Sequence, residues 1–177
     1  VSYGVSETVG TVEEAKESVR LSTELKLDLY KSYVRQDYTV QKTVIELAHE
    51  SGIPVTGHEL YPAVANGVDQ MEHFGATSRR GYSLKSSLNG YSYQDVIALI
   101  SRSGMYVTPT LAMGKRAGPE FVQAGQDALV KIIDNGGKLV AGTDSPFVPY
   151  GASLHDELAV YSGAGVSNAT VLKLATS

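Results

Sequence analysis

Along this chain short apolar runs alternate with longer stretches of helical periodicity, and the alternation repeats five times. The first ten residues, VSYGVSETVG, are polar and unperiodic and form a lead-in. From Thr11, TVEEAKESVRLSTEL sets a Thr cap three residues before a Glu, a capping box, and continues as an amphipathic helix. KLDLYKSYVR predicts a strand through Leu27, Leu29 and Val34, with Lys31 inside it. Thr39 to Ser51 places Val40, Val44, Leu47 and Ala48 on one helical face, closed by Gly52. IPVTGH and VDQMEHF then read as two short strands, each ending in a histidine. Between them, Leu60 to Asn66 has Pro62 near its start, where a missing N–H costs nothing, and predicts a short crossover helix.

Further on, Ser92 to Ser103 is a helix ended by Gly104, and MYVTPTLAM is a strand. Pro119 opens a helix through Asn135 that Gly136 and Gly137 break. KLVAGTD forms a strand ending in Asp144; Ser153 caps SLHDELAVYSGAG; and VSNATVLKLATS begins one more helix. Strand and helix units in strict alternation define an α/β fold with a parallel sheet. Pattern alone admits a doubly wound sheet or a barrel. Polar residues at the ends of several different strands favour the barrel, because that is how barrel sites are assembled.

Those strand ends carry the candidate chemistry. His58 and His73 stand at equivalent places in consecutive units, and neutral imidazole is the commonest metal ligand. Each alone is as well explained as a satisfied polar residue; as a pair at one sheet edge they could share an ion. Lys31 is an edge-strand guard if solvated and a functional candidate if buried, since a buried unpaired charge is costly. His49, near a helix C-terminus, and His155, in a helix first turn, take surface roles. Arg79 and Arg80 fall in a long Gly-, Ser- and Arg-rich loop, 76–91, and with Tyr61 could hold a substrate carboxylate.

Composition narrows the classes. With 177 residues, 42% of them hydrophobic, the chain is expected to be a single domain, residues 1–177, with a real core. The net charge of −4 argues against nucleic acid or an anionic membrane surface as the partner. There is no cysteine, so thiolate metal sites and disulfides are unavailable. No apolar run reaches the roughly 20 residues a spanning helix needs. The first residue is Val1, which suggests that an N-terminal portion is missing or processed.

The ordered set LYKSYV, GIPVTGHELYPA, VDQMEHF and LVAGTDSP followed by SLHDELAVYSGAG resembles the amidohydrolase superfamily, in its imidazolonepropionase-like and Xaa-Pro or Xaa-Arg dipeptidase-like branch. The resemblance implies a metal-dependent hydrolase of amide or other C–N bonds, acting on a small-molecule or short-peptide substrate. It implies a carboxylated Lys31 bridging two divalent metals, zinc above all, with His58 and His73 on one metal and Asp144 on the other as metal ligand and general base. The family's His-x-His pair, from the first barrel strand, occurs nowhere in this chain. A complete eight-unit barrel needs roughly 250 residues. The chain is therefore expected to be strands four to eight of a (β/α)8 TIM barrel, holding at most one metal and turning over little on its own. The alternative is a non-catalytic partial barrel that binds one metal or self-associates through open sheet edges.

Overall fold

A computed structural model describes residues 7–33, 36–73 and 92–176, without the side chains of 92–95. The protein is α/β, with five parallel strands in chain order, β1-β2-β3-β4-β5. The chain divides into two compact units, Val1–Met71 and Glu72–Ser177.

The first unit begins with α1 (Val12–Glu24). Thr11 Oγ1 accepts from Glu14 N at 3.1 Å while Glu14 Oε2 accepts from Thr11 N at 3.0 Å, the reciprocal capping box the sequence predicts. Strand β1 is only Tyr30–Lys31, shorter than expected. Leu27 and Leu29 are exposed and belong to the approach to the strand, so their alternation marks no core face. Tyr30 is the buried residue, its hydroxyl 2.8 Å from Ser18 Oγ. Asp37 caps α2 (Tyr38–Glu50), and Val40, Val44 and Ala48 are buried as predicted, with Ile45 added. Strand β2 (Val55–Gly57) pairs with β1 through Tyr30↔Val55 and Lys31↔Thr56. Helix α3 (Leu60–Asn66) follows, and β3 (Gln70–Glu72) pairs back through Thr56↔Gln70 and Gly57↔Met71. Ala15, Val19, Val44, Ile45, Ala48 and Val55 form the centre of this unit's core. His49 lies on the surface, as expected, with Nε2 2.8 Å from Asp69 Oδ2; the same oxygen accepts from Val55 N at 2.7 Å.

The second unit contains α4 (Ser92–Ser103), β4 (Tyr106–Thr108), α5 (Leu111–Gly114), a 3-10 turn at Lys115–Ala117, α6 (Pro119–Asp134), β5 (Lys138–Leu139), α7 (Ala152–Gly163) and α8 (Asn168–Thr176). MYVTPTLAM is therefore not one strand. The chain leaves β4 at Pro109, Thr110 turns into the left-handed region at φ 52°, and LAMG winds into the short α5. A proline without an N–H cannot continue the ladder, which is why the strand stops there. KLVAGTD is likewise strand only at its start, although Val140 N still reaches Val107 O at 3.0 Å. Ala141 N turns instead to Leu174 O at the end of α8, 2.8 Å away. Gly151, not Ser153, is the N-cap of α7; Ser153 lies one residue inside, its Oγ donating to Pro149 O. Val107, Leu129, Ile132, Leu139 and Val160 are among the residues buried in this unit.

Candidate functional site

In the first unit the chain passes from the fully buried β2 directly into His58 and Glu59, themselves buried at 4% and 2% exposure. The His58 ring tilts against Tyr33, with centroids 4.8 Å apart and planes at 46°. At Gly57 a Cβ would stand 3.4 Å from both the Ala63 and Val68 side chains, a snug but ordinary contact. Lys31 is exposed on β1, so no cost of burying its charge arises. Tyr61, in the first turn of α3, is 37% exposed. Arg79 and Arg80 lie outside the described residues.

The second unit brings two of the predicted residues together. His73 immediately follows β3, and its N–H bonds Thr108 O at 2.8 Å, which ties it to the end of β4. Asp144 lies beyond β5, and its carbonyl accepts from Phe147 N at 3.1 Å in a turn. Gly142 permits this arrangement, because a Cβ there would fall 2.3 Å from Thr108 Cγ2. His73 Nε2 and Asp144 Oδ1 are 3.7 Å apart, with side chains 14% and 24% exposed. His73, Thr110 and Asp144 all hold positive φ, at 65°, 52° and 60°. Non-glycine residues kept in that region are strained, and such strain gathers at working sites.

The Thr110 oxygen stands 2.8 Å from Pro109 O and 2.7 Å from His73 Nδ1, a contact whose donor depends on the His73 tautomer. With Nδ1 protonated, Nε2 would present a lone pair toward the Asp144 carboxylate, and a cation would suit both acceptors. A charge-assisted N–H···O bond would be about 2.7–2.9 Å long, so 3.7 Å is too wide for a shared proton. Two ligands each about 2.0–2.2 Å from one ion stand roughly 3–4 Å apart. The spacing of the pair is that of two ligands on one ion. Among the described residues no group of three His, Asp or Glu side chains gathers around one point, so the pair is at most half of a complete shell.

Two residues that sequence reasoning did not single out complete this region. Glu157, fully buried on α7, accepts from Leu111 N at 2.8 Å and Ala112 N at 2.5 Å. Burial pushes its carboxyl above the ordinary value, against the pull of those two N–H donors. The Tyr161 hydroxyl, also buried, meets no partner in good hydrogen-bond geometry among the described residues. Burial first, and then the neighbouring Glu157, hold that phenol far above its usual range. One signal was available: Ser153, Glu157, Val160 and Tyr161 recur at the spacing of a buried helical stripe. Thr110 had no comparable signal.

Fold and site together define a class: a parallel α/β protein with polar side chains, His73 and Asp144 among them, just past its strand ends. No family model and no curated protein matches the chain. Among solved structures, it is similar to A. niger ochratoxinase, with TM-score 0.71 at 17% identity over 95% of this chain and 42% of that one. It is similar to bottromycin amidohydrolase, with TM-score 0.63 at 21% identity over 95% of this chain and 49% of that one. An uncharacterized protein gives TM-score 0.71 at 18% identity, over 97% of this chain and 47% of that one. At such identities the likeness carries the fold, and the chain spans about half the length of these structures.

Proposed function

We propose that this chain is the metal-binding second half of an amidohydrolase-type barrel, its strands corresponding to four to eight, and that the protein it represents hydrolyses amide or other C–N bonds. The carrying observation is the His73–Asp144 pair, Nε2 and Oδ1 3.7 Å apart just past their strands. The names of the similar structures, ochratoxinase and bottromycin amidohydrolase, and the half-length coverage support the reading. By the resemblance, His58 and His73 would hold one divalent ion, zinc above all, and Asp144 the other, with a carboxylated Lys31 serving both; the 3.7 Å between His73 and Asp144 would equally let these two serve a single ion. Asp144 would be both metal ligand and general base. When bound, the metal lowers the pKa of a water and polarises the scissile carbonyl. Asp144 takes the proton of the attacking water and returns it to the leaving amine. Thr110, 2.7 Å from His73 Nδ1, is placed as the hydrogen-bonded partner that a ligating imidazole uses. A short peptide or small acyl-amine is the substrate class, with Tyr61, Arg79 and Arg80 as candidates for its carboxylate, and a dipeptidase-like specificity is the finer reading.

The test is metal content by elemental analysis on protein purified without chelators, followed by dipeptide hydrolysis with added zinc. About one zinc-like ion per chain with little turnover is the expected result. Absence of metal removes the proposal, and ordinary enzymatic turnover would show that this half suffices. A second reading, a self-associating partial barrel, is favoured by the exposure of Leu25, Leu27 and Leu29 beside β1. Sedimentation velocity separates the two: this second reading requires a dimer or larger species.

A further inference from the structure

We infer that α8 is a releasable strap over the outer edge of β5, and that its release opens that edge to pairing with the same edge of a second copy of the chain. Strand β5 is the last of the five, so only one of its edges has a strand beside it. Along an extended chain, successive backbone N–H groups point to opposite edges. Val140 N continues the ladder inward, to Val107 O at 3.0 Å, so the next donor, Ala141 N, faces outward. There it meets Leu174 O at 2.8 Å. That carbonyl lies in the last turn of α8, where a helix leaves its acceptors unfilled, and the one bond serves an orphan of the helix and an orphan of the strand edge. The strap is lightly held. A helix of nine residues is marginal without packing, and Val171 is the buried residue of α8 while its neighbour Leu172 is 59% exposed. At its near end Ser162 Oγ donates to Asn168 Oδ1 at 3.0 Å, and Gly165, at φ 86°, stands where the strap would hinge. With α8 released, Ala141 presents its N–H and C=O to the open side, the pattern by which two antiparallel residues exchange a pair of bonds. In a twofold pairing centred on Ala141, as KLVAGTD straightens, Lys138 of each copy comes opposite Asp144 of the other, and these opposite charges favour a second copy as the occupant.

The experiment begins with amide hydrogen exchange, read residue by residue on the full 177-residue chain. In the wild type the Ala141 amide is expected to exchange together with the amides of α8 and faster than that of Val140, which bonds the neighbouring strand. Val171→Ala removes two buried methyl groups from the strap and is expected to speed exchange at Ala141 and in α8 by about tenfold, with Val140 unchanged. An Ala141 amide indifferent to this substitution, or a Val140 amide that quickens as much, overturns the strap. Sedimentation velocity then reads the opened edge. Val171→Asp is expected to raise the dimer fraction above that of the wild type, and adding Lys138→Asp, which sets Asp opposite Asp, to return it to the wild-type level. A Val171→Asp chain that sediments as the wild type does, although its α8 amides have lost protection, overturns the pairing. So does a dimer that Lys138→Asp leaves intact. If circular dichroism shows Val171→Asp unfolded, the same comparison in Val171→Ala at rising chain concentration decides the pairing.

Discussion

The two histidines, alike in sequence, stand in different surroundings. His58 leaves a strand buried throughout, lies at 4% exposure and packs its ring on Tyr33. His73 is more open, holds a positive φ, and faces a hydroxyl on one nitrogen and a carboxylate near the other. His58 packs on an aromatic ring, while His73 meets Thr110, whose next two residues bond Glu157. The contrast shows that equivalent positions past consecutive strands fix where an imidazole emerges and leave its surroundings to residues from elsewhere in the chain.

The sharpest way to break the comparison is metal affinity. Zinc titration is expected to show His73→Ala and Asp144→Asn binding at least about a hundredfold more weakly than wild type, since each removes a direct ligand. In the proposed site His58→Ala loses the ion as well. Retention of zinc by His58→Ala would show that the two histidines do not share an ion, and would confine the metal to the second unit.

A middle-sized effect compares the glycines that precede each site residue. Gly142→Ala puts a methyl 2.3 Å from Thr108 Cγ2, a distance that real packing does not tolerate. Urea unfolding is expected to show a loss of about 1–3 kcal/mol. Thr108→Ser deletes that methyl, so adding it to Gly142→Ala should recover part of the loss. Gly57→Ala, with its nearest contacts at 3.4 Å, is expected to cost less than Gly142→Ala. If the two cost the same, close approach is not what distinguishes the second unit.

Much of the frame was readable from residue order. The parallel α/β alternation, the α1 capping box, the Ser92–Ser103 helix and the placing of His58 and His73 directly after strands all follow from periodicity and turn chemistry. What could not be read was how short the strands are. Leu27 and Leu29 alternate like strand residues yet are exposed, because alternation records a pattern and not the partner that covers it. The Thr110 turn was hidden because a β-branched residue at positive φ runs against local preference and is imposed by bonds from a residue 46 positions away from Leu111. Glu157 was hidden for the related reason that a buried carboxylate is recognised by its donors, which sequence does not display. Family resemblance put His73 and Asp144 on different metals of one site, and the chain itself sets their side chains 3.7 Å apart.

The smallest expected effect is also the one that sets the two units in opposite directions. In the first unit the Glu14 carboxyl is held below its ordinary value of 4.5 by the backbone N–H groups of Gly10 and Thr11. A depressed folded value means that its contribution is present above 4.5 and is lost as pH falls through the folded value. The group is fully exposed, so solvent keeps that contribution small. In the second unit Glu157 is raised above 4.5 by burial, so its contribution is present below 4.5 and is lost as pH rises through the folded value. Amide hydrogen exchange resolved by residue and followed with pH should therefore show α1 losing protection toward acid and the α5–α7 region losing it from 4.5 upward. Glu14→Gln should flatten the first trend alone and Glu157→Gln the second alone. A common slope in both units, unmoved by either substitution, would mean that neither carboxyl governs the local stability of its unit.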